Sequence, residues 1–199
     1  MAALNPAKPS PTVLRWLVRG WGNQGFSGDV SYLLQVWKEA LKARCILECG
    51  SGISTLVLGA VARKTSAEVY SLEHSKEWWT RVNDSLATRH FPNRVTYAPM
   101  QRYDDYDWYS IPRELPSHFD LVICDGPPSA TRGGRYGLLP VCFERLQRTT
   151  ILMDDAERGD EQEIIRRWQC EFPIDCRTIE GAQGSFAVIR LGRERNTSR

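Results

Sequence analysis

The chain is poor in the residues that build soft metal centres. It has three histidines, and its six cysteines (Cys45, Cys49, Cys124, Cys142, Cys170 and Cys176) include no CxxC pair. Tetrahedral zinc sites draw on closely spaced Cys and His, so a zinc centre is not expected. Cys45, Cys49 and Cys124 fall inside apolar runs, where cysteine behaves as a small hydrophobe. That usage points to a reducing compartment. The sequence also lacks a charge excess, with 26 Lys and Arg against 24 Asp and Glu. This balance removes the electrostatic ground for a nucleic-acid partner. No apolar run approaches the roughly 20 residues of a membrane span, and the opening MAALNPAKPSP has no apolar signal-peptide core. A cytoplasmic protein without a membrane partner is expected. There is no internal repeat and no low-complexity stretch.

A chain of 199 residues has room for one sizeable core. One domain is expected over 13–192, opening with a helical cap over 13–43. A disordered tip over 1–12 and a frayed tail over 193–199 would flank it. Within the domain, strands and helices alternate, which is the pattern of an α/β parallel sheet. Apolar runs bounded by turn residues predict strands at Cys45–Cys49, Val69–Leu72, Val95–Ala98, Leu121–Cys124 and Ile151–Met153. Two more follow at Ile174–Ile179 and Phe186–Leu191, with Gly181–Gly184 as a hairpin turn between them. Helical spacing marks Thr55–Arg63, Glu77–Ala87, Leu138–Leu146 and Glu161–Trp168. Ser27-Gly28-Asp29 stands where it could cap a further helix, Val30–Ala43. The long connection Gln101–Ser117, rich in Tyr, Asp, Trp and Pro, is expected to be an irregular and functional loop.

Chemistry gathers where strands end. The first strand runs into Glu48-Cys49-Gly50-Ser51-Gly52-Ile53-Ser54-Thr55. Glycines at a strand-to-helix turn allow a tight bend and a close backbone approach to a ligand. A dinucleotide site wants a third glycine three residues after the second, and that position is Thr55, so the pyrophosphate fingerprint is broken. Glu48 could accept a hydrogen bond or face a ligand's ammonium group. Glu73, with His74 beside it, ends the second strand about twenty residues after the first glycine. An acid there reaches ribose hydroxyls and can accept from both. Asp125 ends the fourth predicted strand, and Asp154 and Asp155 end the fifth. Three carboxylates in one crevice need a cation or a proton between them, and Mg²⁺ prefers such oxygen ligands. Without a metal, Asp154 or Asp155 would cap the next helix and Asp125 would hold a loop.

Glu-x-Gly-x-Gly, the acid at the second strand's tip and Phe119-Asp120-Leu121-Val122-x-x-Asp125 resemble class I S-adenosylmethionine-dependent methyltransferases over residues 44–191. The resemblance implies a doubly wound, Rossmann-like seven-stranded sheet with helices on both faces and its last strand antiparallel. It implies S-adenosylmethionine as cofactor, with Glu48, Gly50, Ser51, Gly52 and Ser54 at the methionine end. Glu73 and His74 would meet the ribose, Gln101 the adenine, and Asp125 the reacting end. The set Asp125, Asp154 and Asp155 is similar to that of metal-dependent small-molecule O-methyltransferases, both the catechol type and the macrolide- and aminocoumarin-sugar type. It matches the sugar type at all three positions, which implies Mg²⁺. Gly126-Pro127-Pro128 departs from both types. It faintly resembles the Asp-Pro-Pro-Tyr loop of amino-methylating nucleic-acid enzymes, but with an inserted glycine and no aromatic.

The leading expectation is O-methylation of a small-molecule hydroxyl with divalent-metal assistance. Two alternatives stay open: a metal-free N-methyltransferase using Asp125 as acceptor or base, and a cofactor-binding domain without catalysis. Acceptor recognition is expected in the aromatic segment Trp16–Trp37, in Tyr103–Tyr109 and in Arg132–Tyr136. A homo-oligomer is compatible with the sequence, which does not specify one.

Overall fold

A computed structural model of the chain describes residues 10–22 and 29–192. The expected tip over 1–9, the tail over 193–199 and the capping pair Ser27-Gly28 lie outside the described residues. Two helices come first, α1 (Pro11–Trp21) and α2 (Val30–Ala40). The expected disorder is therefore corrected at Pro11 and Thr12, which begin α1. Pro11 is suited to a first helical position, where its missing N–H costs nothing, and Gly22 ends the helix at a φ of +73°.

The units β1 (Cys45–Cys49), α3 (Ile53–Thr65), β2 (Glu68–Glu73), α4 (Lys76–Thr88) and β3 (Arg94–Tyr97) follow. After a small hairpin, β4 (Met100–Arg102) and β5 (Asp107–Tyr109), come β6 (Leu121–Cys124), α5 (Leu138–Cys142), β7 (Thr150–Met153) and α6 (Gly159–Glu171). The last pair is β8 (Ile174–Glu180) and β9 (Ser185–Leu191). The main sheet has seven strands in the order β3-β2-β1-β6-β7-β9-β8. Neighbours from β3 to β7 are parallel, and β9 runs antiparallel to both β7 and β8. This is the class I methyltransferase arrangement, and Gly181 N donating to Gly184 O at 2.7 Å closes the expected turn.

Side chains along each central strand alternate between two cores, because successive residues of a strand face opposite ways. Ile46, Ile123, Leu152 and Val188 join one core with α2, α3 and α4. Leu47, Val122, Ile151 and Ile189 join the other with Leu138, Leu139 and Trp168. Burial on both faces explains why these strands read as unbroken apolar runs.

Two stretches differ from expectation. Leu138–Leu146 is one five-residue helix flanked by 3-10 turns at Gly134–Gly137 and Phe143–Arg145, with Pro140 removing a backbone donor from its middle. Within Gln101–Ser117, residues up to Tyr109 are ordered: Arg102 pairs with Asp107 in the β4–β5 ladder. The Arg132 guanidinium grips the hairpin's turn, donating to the carbonyls of Tyr103, Asp104 and Tyr106 at 2.7–2.9 Å and to the Asp107 carboxylate. Arg132 is thus a clamp on the hairpin.

Candidate active site

β1, β2, β6 and β7 all end at one edge of the sheet, and the sequence-predicted residues collect there. The turn after β1 is the tightest point. Gly50 has a φ of +86°, and its amide donates to Leu72 O at 3.0 Å. A Cβ on Gly50 would stand 2.7 Å from Gly126 N. The glycine turn therefore lies backbone against backbone on the Asp125-Gly126 turn, which Gly126 N anchors by donating to Cys49 O at 2.8 Å.

Glu48 is fully buried. Its carboxylate accepts from Ser54 Oγ at 2.7 Å and from Thr55 Oγ1 at 2.8 Å. Thr55 Oγ1 in turn accepts from Gly52 N at 2.8 Å. Burial pushes the Glu48 carboxyl up to about 7, against the pull of its hydroxyl donors. Glu48 and Ser54, expected at the methionine end, are thus hydrogen-bonded to each other at the glycine turn. Each oxygen of Glu48 accepts from one hydroxyl of the first turn of α3.

Glu73 is also buried, with Oε2 accepting from Ser51 N at 3.0 Å and from Ser51 Oγ at 2.9 Å. Its Oε1 accepts from Ser75 N at 2.8 Å. Burial works to raise this carboxyl, but the contacts from His74, Ser75 and Ser51 outweigh it and hold it below the ordinary range. His74 Nδ1 stands 3.1 Å from Glu73 Oε1, without the alignment of a full hydrogen bond. Gln101 lies on β4, exposed, in register with Trp108.

Asp125, Asp154 and Asp155 do meet. Each can offer a carboxylate oxygen within 4.8 Å of the others. Asp155 has a φ of +57°, an uncommon backbone state for a side-chain-bearing residue. The cluster carries a resident cation, Arg135, which is 2% exposed. Its Nη2 is 2.9 Å from Asp155 Oδ2 and 3.5 Å from Asp125 Oδ1. The same nitrogen donates to Asp125 O at 3.1 Å, and Nη1 donates to Asp154 O. Arg158 holds the other Asp155 oxygen at 2.9 Å. Burial and the neighbouring carboxylates push the Asp154 carboxyl up. Burial also raises the Asp125 carboxyl, with Arg135 opposing and Asp155 adding to the rise.

Trp78 and Arg81 were not identified from the sequence, and Tyr109 and Arg135 were expected only within the acceptor segments Tyr103–Tyr109 and Arg132–Tyr136. Trp78 Nε1 donates to Ser51 O, and the Arg81 guanidinium stacks 4.7 Å from the Trp78 ring and 5.2 Å from the Trp21 ring. This joins the end of α1 to the glycine turn. Tyr109 is buried, and its hydroxyl would stand 2.5 Å from a Cβ on Gly126. Arg135 was expected at the acceptor surface, in Arg132–Tyr136; its burial under the carboxylates has no signature in a Gly-Gly-Arg-Tyr stretch.

The comparisons with known proteins agree with this architecture. The model of the methyltransferase-domain family matches residues 47–156, from β1 through the Asp154-Asp155 turn. No curated protein matches the chain. Among solved structures, the SAH-bound methyltransferase PaMTH1 of Podospora anserina superposes with a TM-score of 0.67 at 17% identity, over 94% of this chain and 89% of that one. An O-methyltransferase of Bacillus cereus in complex with SAH gives 0.64 at 14% identity, over 91% of each chain. The O-methyltransferase TomG of Streptomyces achromogenes, involved in tomaymycin synthesis and in complex with SAM, gives 0.63 at 12% identity, over 92% of this chain and 89% of that one. At these identities the superpositions speak for the fold, and the family match carries the assignment. The chain belongs to the methyltransferase-domain family, as an S-adenosylmethionine-dependent methyltransferase of class I fold.

Proposed function

We propose that the chain methylates a hydroxyl of a small-molecule acceptor at the carboxylate cluster. One observation carries this reading: the Asp125 turn lies in backbone contact with the glycine turn, so acceptor chemistry and cofactor site share one edge. S-adenosylmethionine supplies an electrophilic methyl group. The backbone of Gly50, Ser51 and Gly52 holds its methionine end, and Glu48 and Ser54 keep that backbone in shape. Glu73 accepts from the ribose hydroxyls with its remaining lone pairs, His74 flanks it, and Gln101 serves the adenine side. Asp125 takes the acceptor's proton, and its raised carboxyl suits a base working near neutral pH. The sheet's strand ends hold these groups in fixed register, which supplies the orientation an in-line transfer needs.

Asp125, Asp154 and Asp155 present hard oxygen donors close enough for one divalent cation, so the donor set fits Mg²⁺. An ion held there would lower the acceptor hydroxyl's pKa. A metal-free reading is favoured by Arg135 and Arg158, which already bring two positive charges to Asp155. Turnover in EDTA, with and without added Mg²⁺, separates the two. Loss in EDTA and recovery with Mg²⁺, with Asp→Asn harmful at all three positions, supports the metal. Full turnover in EDTA, with Asp125→Asn alone harmful, supports the free base.

Among the described residues no helix is long and apolar enough to cross a membrane. All six cysteines are unpaired, which supports a reducing, cytoplasmic setting for the reaction.

A further inference from the structure

We infer that Arg135 is the positioning residue of the carboxylate cluster, orienting its aspartates and setting how strongly the site attracts a divalent cation. The inference deepens the proposed function and rests on the cluster being its reaction centre. Past the last ladder pair of β6 and β7, Cys124 with Met153, the two chains separate into turns. Arg135 bridges them there, donating from one guanidinium to the main-chain carbonyls of Asp125 and Asp154. Its Nη2 also engages Asp155 at 2.9 Å. A planar fork with several fixed donors can make these contacts together; a lysine ammonium cannot match them all.

The charge matters as much as the geometry. Arg135 is enclosed by acids: besides Asp125 and Asp155, the buried Glu161 places Oε1 at 3.9 Å from its Nε. A cation approaching the aspartates meets a site already part-neutralised from beneath by a permanent charge that water does not screen. Asp155, gripped on one oxygen by Arg135 and on the other by Arg158, is the least available of the three.

The test is Mn²⁺ titration followed by electron paramagnetic resonance, which needs neither cofactor nor acceptor. Wild-type protein should bind Mn²⁺ weakly, with Kd on the order of 0.1–1 mM. Folded Arg135→Gln should bind it about tenfold tighter or more, and Arg135→Lys, which keeps the charge without the fork, should fall between the two, about threefold tighter than wild type. An Arg135→Gln affinity equal to wild type, or an Arg135→Lys as tight as Arg135→Gln, would overturn the inference. If Arg135→Gln fails to fold, Arg135→Lys decides in its place, and an affinity equal to wild type would overturn the inference. SAH calorimetry on the same proteins separates the two claims. Absence of SAH binding to wild type strikes the methyltransfer reading, whereas the Mn²⁺ result bears on Arg135 alone.

Discussion

Gly50→Ala and Gly52→Ala change the same turn by the same methyl group, and the structure requires opposite consequences. At Gly50 the new Cβ would stand 2.7 Å from Gly126 N and 2.9 Å from Gly126 Cα, backbone atoms that no rotamer can move. The φ of +86° adds a penalty for any side chain. Left-handed geometry costs about 1–2 kcal/mol, and overpacking a tight contact about 1–3 kcal/mol more. The sum is roughly 2–5 kcal/mol, which lowers Tm by roughly 4–20 °C in a domain of this size. At Gly52 a Cβ meets nothing within 4 Å, and the φ of −179° is extended backbone open to any residue. Gly52→Ala should therefore melt within about 2 °C of wild type. Its methyl group projects into the open space where the methionine end is proposed to lie, so SAH affinity should fall about tenfold or more. Thermal melts and calorimetry with SAH read both effects. A Gly50→Ala protein as stable as wild type would refute the backbone contact, and a Gly52→Ala protein with undiminished SAH affinity would move the cofactor away from this turn.

Glu48 gives a pH signature. Because its carboxyl is raised to about 7, the unfolded chain loses this proton between about pH 4.5 and 7 while the folded chain keeps it. Stability from this group therefore falls as pH rises through that window. In urea melts, Glu48→Gln should gain on wild type by up to about 3 kcal/mol between roughly pH 4 and 8, and a constant difference would contradict the assignment. Glu73→Gln should cost SAH affinity about 1–3 kcal/mol by calorimetry, and unchanged affinity would remove Glu73 from the cofactor site. Arg132→Ala should release the β4–β5 hairpin, speeding hydrogen exchange across residues 100–109 and costing about 2 kcal/mol, a figure discounted because the side chain is about a third exposed. Exchange left as slow as in wild type would mean that the hairpin stands without its clamp.

Much of the fold was legible because its signals are local. Apolar runs flanked by turn residues located all seven strands of the main sheet to within a residue or two. The hairpin at Gly181–Gly184 followed from its glycines. The β4–β5 hairpin was not legible, because what holds it is Arg132, some 25 residues downstream of Asp107. The broken helix over Leu138–Leu146 kept helical spacing in its apolar residues, so periodicity overran the 3-10 ends.

The candidate site divides along the same line. Which residue types stand at the strand tips is a property of sequence: Gly50, Gly52, Glu73, Asp125, Asp154 and Asp155 follow from where the apolar runs stop. Which way each side chain faces is not, since a one-residue change in register or turn geometry exchanges a surface carboxylate for a buried one. Glu48 precedes the glycines by two residues and would serve a ligand equally well on paper. Only the fold shows that its oxygens accept from Ser54 and Thr55 at the start of α3. The three aspartates by themselves called for some counter-charge. That a guanidinium from a turn ten residues beyond Asp125 provides part of it was decided only when the sheet brought Asp125, Asp154 and Asp155 together, because charge compensation depends on distance in space and not on distance along the chain.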